Sequence, residues 1–224
     1  MKTAKIAEVF KSVQGEGVYL GQDQLFIRFF GCNLSCSYCD TRVLSFQEYS
    51  LGALIEEVEN TQDIHSVCLT GGEPLLQADF IKDFLEAIRP LGFKIYLETN
   101  GTLCKELEAV LPLIDIVAMD FKLPSFTGAK DYWMQHEQFL SLALQKEVFV
   151  KMVIAKDVKV AEVARACDIL LKTNARVPVV LQPNWQEYDE ELLTKMIGIK
   201  KRFIAAGIED VRILPQAHKY SGIR

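Results

Sequence analysis

The chain has 224 residues, half of them hydrophobic, and a formal net charge of −5 at neutral pH. That length suits one domain, or at most two, and is enough to bury a sizeable apolar core. Mild acidity without clustered Lys and Arg excludes a basic nucleic-acid footprint, and no apolar run approaches the ~20 residues that span a bilayer.

The first residues, Met1-Lys2-Thr3-Ala4-Lys5, lead into a short mixed segment rather than an apolar signal-peptide core. The expectation is a cytoplasmic protein with reduced cysteines, where clustered thiols hold metal or do chemistry. KIAEVFKS (5–12) reads as an added edge strand, and QLFIRFF (24–30) as the first core strand. The stretch from Thr41 to Ser50 is irregular. Beyond it, strand-like runs alternate with helical patterns: LGALIEEVEN, SVCLTG (66–71), DFIKDFLEAIR, KIYLET (94–99), CKELEAVLPL and DIVAMDF (115–121). Residues 123–136 read as a loop before a short helix. VFVKMVI (148–154), KVAEVARACDILLK, VPVVLQP (177–183), DEELLTKMIGIKKRFIAAG and DVRILPQ (210–216) complete the series. Near-continuously apolar strands separated by amphipathic helices indicate a parallel sheet covered by helices. No linker or internal repeat divides the chain, so 1–224 is expected to be a single domain.

The polar and glycine-rich signals fall at strand ends. GCNLSCSYCDT (31–41), TGGEP (70–74), ETNGT (98–102), Asp120-Phe121-Lys122, Gln182-Pro183-Asn184-Trp185 and Pro215 to Lys219 each follow a strand. In parallel α/β architectures those ends line the functional face, so six signals converge on one cleft. About seven strand–helix signals suit an open, partial TIM-like barrel of about six parallel core strands rather than a closed eight.

Three of the six cysteines, Cys32, Cys36 and Cys39, cluster as C-x3-C-x2-C. Cys68, Cys104 and Cys167 are scattered and read as small buried hydrophobes or structural thiols. A structural zinc site takes four ligands, often as paired C-x2-C knuckles; here the second knuckle is missing, although His218 could approach in space. An electron-transfer four-iron cubane also uses four thiolates. Three thiolates on a cubane leave one iron open, which is what metal catalysis requires.

CNLSCSYC resembles the cluster motif of the radical S-adenosylmethionine superfamily, and TGGEP its glycine-rich contact to the methionine part of that cosubstrate. The resemblance implies a 4Fe-4S cluster on Cys32, Cys36 and Cys39 and S-adenosylmethionine on its vacant iron, cleaved reductively to a 5′-deoxyadenosyl radical. It places Tyr38, Cys39, Asp40, Gly71, Gly72, Glu73, Asp120, Phe121, Lys122, Gln182, Pro183, Asn184 and Trp185 around S-adenosylmethionine. Glu73 would offer a carboxylate to its ammonium, and glycines would let the backbone approach closely.

FKSVQGEGVYLGQDQLFIRFFGCNLSCSYCDT, Phe10 to Thr41, is similar to the N-terminal signature of the 7-carboxy-7-deazaguanine synthase family, and ETNGT, LQP and QAHKY have equivalents there. This narrower resemblance implies ring contraction of 6-carboxy-5,6,7,8-tetrahydropterin to 7-carboxy-7-deazaguanine with loss of ammonia, on the path to queuosine. Hydrogen abstraction from pterin carbon 6 would begin the reaction, and S-adenosylmethionine would be regenerated. Val13, Gln14, Gly15, Glu16, Arg28, Thr70, His218 and Arg224 fall on the substrate side, and Thr41 on a Mg²⁺ ion. Arg28 stands alone in an apolar strand and needs an anion, either the substrate carboxylate or an internal partner. The family implies an electron donor such as flavodoxin or ferredoxin and a homodimer, with no membrane or nucleic-acid partner. Rival readings are another radical enzyme of the superfamily, such as a glycyl-radical-enzyme activase, and a non-enzymatic iron–sulfur carrier.

Overall fold

The apolar runs read from the sequence become strands of one sheet in the computed structural model, which describes residues 2–39, 41, 44–128 and 130–222. The strands are β1 (Thr3–Val13), β2 (Asp23–Phe29), β3 (Gln47–Ser50), β4 (Ser66–Gly71), β5 (Lys94–Thr99), β6 (Ile116–Asp120), β7 (Glu147–Ile154), β8 (Val179–Pro183) and β9 (Val211–Ile213). Their spatial order is β3-β1-β2-β4-β5-β6-β7-β8-β9. β1 runs antiparallel to β2 and β3, and every pairing from β2 to β9 is parallel. The parallel part holds six strands of at least five residues and the three-residue β9. This matches the expected open barrel of about six core strands.

The helices are α1 (Leu51–Glu59), α2 (Ala78–Ile88), α3 (Cys104–Val110), α4 (Trp133–Ala143), α5 (Val160–Thr173), α6 (Glu190–Ala206) and the short α7 (His218–Ser221). Their ends follow capping chemistry: Ser50 Oγ accepts the Ala53 N–H, Asp189 accepts the Leu192 N–H at 2.9 Å, and Gly207 ends α6 in the left-handed region. Among the described residues no helix is long and apolar enough to cross a membrane.

Because side chains alternate along a strand, a sheet covered on both sides needs apolar residues at successive positions. Val67 and Leu69 of β4 pack outward with the helices in the main core. Cys68 packs inward with Phe26, Tyr96, Ala118, Phe149 and Val180, a cluster without helical residues. The turn after β1 runs across this inner face. The Tyr19 ring stands edge-on to Tyr96 at 5.6 Å, and its hydroxyl donates to Glu147. Gly17 lies against Phe149 so closely that an added Cβ would come within 2.6 Å of the ring. Val18 and Tyr19 thus plug the end of the barrel where the parallel strands begin, and the opposite mouth stays open.

Candidate active site

The strand ends at that mouth enclose a cavity of about 680 Å³. Inward-facing residues of successive strands form its wall: Arg28 from β2, Thr70 from β4, Glu98 from β5, Asp120 from β6, Lys151 from β7 and Gln182 from β8. Register brings neighbours together, with Arg28 opposite Thr70 and Asp120 opposite Lys151. Over the wall lie the turn after β1, with Val13, Gln14, Gly15 and Glu16, the cysteine loop, and the segment after β9 with Gln216 and His218.

One part of the wall is a hydrogen-bonded relay. Glu98 accepts from the Thr70 hydroxyl at 2.6 Å and from Gln14 Nε2 at 3.0 Å. Gln14 Nε2 also donates to Gln24, which donates to Ser66, and Gln14 Oε1 accepts the Glu16 N–H at 3.0 Å. Gln14 is buried yet lines the cavity, and its internal bonds hold the turn in shape. Arg28 donates from Nε to Glu8 at 2.9 Å and lies over the Phe10 ring. The internal partner is therefore real, yet Arg28 lines the cavity and its guanidinium carries four more N–H groups.

The second part is a lattice of charges. Lys151 pairs with Glu16 and lies 3.5 Å from Asp120; Lys122 donates to Asp120 at 2.8 Å; Gln216 donates to Glu16 at 2.6 Å. Burial pulls the Lys151 ammonium down, but Glu16 and then Asp120 outweigh it and hold the group well above its ordinary value. Burial likewise pushes the Asp120 carboxyl up, and Lys122 with Lys151 brings it below the usual carboxylate range.

Cys32, Cys36, Cys39 and Thr41 line the same cavity. The Cys39 N–H donates to the Cys36 carbonyl at 3.2 Å, and the Ser37 N–H to Phe126 at 2.8 Å. Tyr38 packs edge-on to Phe126, with the Lys122 ammonium over its ring at 5.3 Å. Burial raises the Cys32 and Cys36 thiols, and Lys122 opposes the rise in both. Among the described residues no three His, Cys, Asp or Glu side chains converge on a point as ligands of one metal ion do. The glycine doublet packs against the cysteine loop: an added Cβ on Gly71 would meet Phe29 O, and one on Gly72 would meet Gly31 O, each at 2.1 Å.

Four expected contacts do not line the cavity. Glu73 is fully buried; its carboxylate accepts the Asn100 N–H at 2.7 Å, the Thr99 hydroxyl at 2.9 Å and the Leu75 N–H at 3.2 Å. It ties TGGEP to the end of β5 rather than facing an ammonium, and burial pushes its carboxyl up to about 7. Phe121 is buried and stacked on His136 at 4.9 Å, Pro183 is buried, and Trp185 is exposed beneath Lys219. Asp40 and Arg224 lie outside the described residues. Sequence reasoning does not single out Lys151, although it carries the signal that marks Arg28, a lone charge in an apolar strand.

Residues 26–181 match the family model described as Radical SAM superfamily. The 7-carboxy-7-deazaguanine synthase of Geobacter sulfurreducens is 36% identical over 98% of this chain and 97% of its own length. The synthase of Archaeoglobus fulgidus is 36% identical over 99% of both. The chain belongs to the 7-carboxy-7-deazaguanine synthase family. The crystal structure of QueE from Escherichia coli superposes with a TM-score of 0.67 at 22% identity, over 96% of this chain and 95% of that one, and so shares the fold.

Membership of the superfamily implies a four-iron cluster and S-adenosylmethionine, and the residues present fit them. Three thiols face the cavity with the Lys122 cation near them, a donor set suited to iron–sulfur ligation. Asp120 Oδ1 and Gln182 Oε1 are buried acceptors with no hydrogen-bond partner among the described residues, and both residues line the cavity. Unpaired buried acceptors are costly, and a polar ligand rich in N–H and O–H groups satisfies them.

Proposed function

We propose that this single-domain chain is a cytoplasmic homodimeric lyase that contracts the ring of 6-carboxy-5,6,7,8-tetrahydropterin to 7-carboxy-7-deazaguanine and releases ammonia. The observation that supports it is the meeting of two residue sets in one cavity: Cys32, Cys36 and Cys39 on one side, and Arg28, Thr70 and Glu98 on the other. Cys32, Cys36 and Cys39 would hold the cluster, which with bound S-adenosylmethionine supplies an electron and hydrogen-atom abstraction from the substrate. Tyr38, Gly71, Gly72, Lys122 and Asn184 border the cosubstrate, and Asp120 and Gln182 give their free acceptors to its donors. Arg28 takes the substrate carboxylate with the N–H groups that Glu8 leaves available. Glu98, polarised by Thr70, accepts from the N–H edge of the pterin, and Val13, Gly15 and Glu16 cover its face. His218 closes the substrate side, and Thr41 would offer its hydroxyl to a Mg²⁺ ion, a hard cation suited to oxygen ligands. A flavodoxin- or ferredoxin-like protein delivers the electron.

The test is anaerobic reconstitution, followed by incubation with the carboxy-tetrahydropterin, S-adenosylmethionine, Mg²⁺ and a low-potential reductant. The expected result is the contracted ring by mass. Cleavage of S-adenosylmethionine without that product would point to a different radical enzyme, and no cleavage at all to an electron carrier.

A further inference from the structure

We infer that Asn100 is a positioning residue of the cluster site, and that its side-chain amide holds the Cys32 sulfur and raises the reduction potential of the cluster bound there. The orientation of the amide is set by its partners. Asn100 Oδ1 accepts the Thr102 backbone N–H at 3.1 Å and the Thr102 hydroxyl at 2.6 Å. A backbone N–H only donates, so the oxygen must face it. The Nδ2 edge therefore faces the cysteine loop, where it donates to Asn33 Oδ1 at 2.8 Å and reaches Cys32 Sγ at 4.0 Å. Asn33 closes the circuit through its own Nδ2, which donates to the Thr102 hydroxyl at 2.8 Å.

Asn100 has no freedom to swing away. Its N–H is held by Glu73 at 2.7 Å, and its carbonyl accepts from His136 Nε2 at 3.2 Å. The residue is 4% exposed. It joins the end of β5 to the loop after β4, to α4 and to the residues flanking the first cysteine. Reduction adds negative charge to a cluster that already carries thiolates. An amide whose positive end points at one of those sulfurs stabilises the reduced state.

The test compares wild type with Asn100→Ala and Asn100→Asp after anaerobic reconstitution, by iron and sulfide content and by an EPR-monitored redox titration without pterin substrate. Both variants are expected to bind iron as wild type does, with midpoints more negative than wild type. Asn100→Asp shifts further, because a carboxylate oxygen replaces the donor. At a fixed poise the reduced-to-oxidised ratio falls tenfold for each ~59 mV of shift. An unmoved midpoint in either iron-loaded variant overturns the inference. If Asn100→Ala fails to fold, Asn100→Asp decides, since it keeps the acceptor for Thr102. The inference rests on the three-cysteine cluster. A wild-type chain that takes up no iron would sink that reading, whereas an iron-loaded wild type with unmoved variants sinks only the role of Asn100.

Discussion

Lys151 places one ammonium between Glu16 of the turn after β1 and Asp120 of β6, and all three side chains are largely shielded from water. Removing it takes a cation from Glu16 and leaves Asp120 one of its two, Lys122, in a poorly solvated site. Lys151→Met is expected to cost about 3–5 kcal/mol at pH 7, the scale of a broken buried pair. The Asp120 carboxyl, which Lys122 and Lys151 together hold below the usual carboxylate range, loses one of those two cations. A carboxyl lowered in the fold contributes stability that is present above its unfolded value and lost as pH falls through the folded one, so what the variant forfeits is present at pH 7 and fades in acid. Urea midpoints should therefore show the variant's deficit narrowing as pH falls through the carboxylate range; a deficit that is constant with pH would count against the charge lattice. The same residues show what was legible. Arg28 reads from sequence as a buried charge because it interrupts an apolar strand, and Lys151 carries the same mark in VFVKMVI. Gln14 reads as a ligand contact because its amide suits a pterin edge. Only the fold reveals that Gln24, Glu98 and the Glu16 backbone already use it.

At the scale of elements, the strands buried on both faces were the most legible. SVCLTG and KIYLET coincide with β4 and β5, since continuous burial leaves continuous apolar runs. β3 is absent from the sequence reading because QEYS is polar and partly exposed, and its pairing with β1 supplies what its composition does not. α4 extends past the short helix expected because its polar face masks the buried His136, Phe139, Leu140 and Ala143. The loop after β4 makes a steric prediction. A methyl on Gly72 meets a backbone oxygen of the cysteine loop, so Gly72→Ala must displace one loop from the other. Iron content after reconstitution should fall well below wild type while far-UV circular dichroism stays native; full loading would show that the two loops move independently. Behind that loop, His136 and Glu73 titrate in opposite senses. Burial lowers the His136 imidazole to about 4, so its contribution is present above the unfolded value near 6.5 and lost as pH falls toward 4. Glu73, raised to about 7, contributes fully below its unfolded value and loses that contribution as pH rises through 7. Between pH 5 and 6.5 the two slopes oppose each other, and the intact protein should show a nearly flat stability profile there. His136→Phe keeps a ring against Phe121 and removes one slope. Relative to wild type it should gain about 2 kcal/mol on going from pH 7 to pH 5, read from paired urea denaturations. Parallel profiles would remove His136 from the titrating set.

For the molecule as a whole, the decisive contact joins segments about 200 residues apart in the chain, Glu16 and Gln216. From β1 to β9 the sheet takes seven strand steps, roughly 33 Å if flat. Yet the Ala217 N–H donates to the Gly15 carbonyl at 2.9 Å, so the sheet must curl until its two ends meet over the cavity. No sequence pattern pairs these segments; each reads locally as a turn or a strand end, and their meeting is a property of curvature. The unclosed barrel is thus closed at its mouth by side chains and backbone instead of by a strand ladder. Gly15 sits at the seam, where an added Cβ would come within 2.4 Å of His218 Nδ1. Gly15→Val must push the segment after β9 outward while leaving the cysteine loop and the TGGEP turn where they are. Iron content and S-adenosylmethionine cleavage should stay near wild type, while KM for the pterin rises roughly tenfold, the equivalent of about 1.4 kcal/mol of binding. A variant with unchanged KM would show that the seam is a structural brace alone. A variant that lost iron as well would show that closure of the mouth and assembly of the cluster site are one cooperative unit.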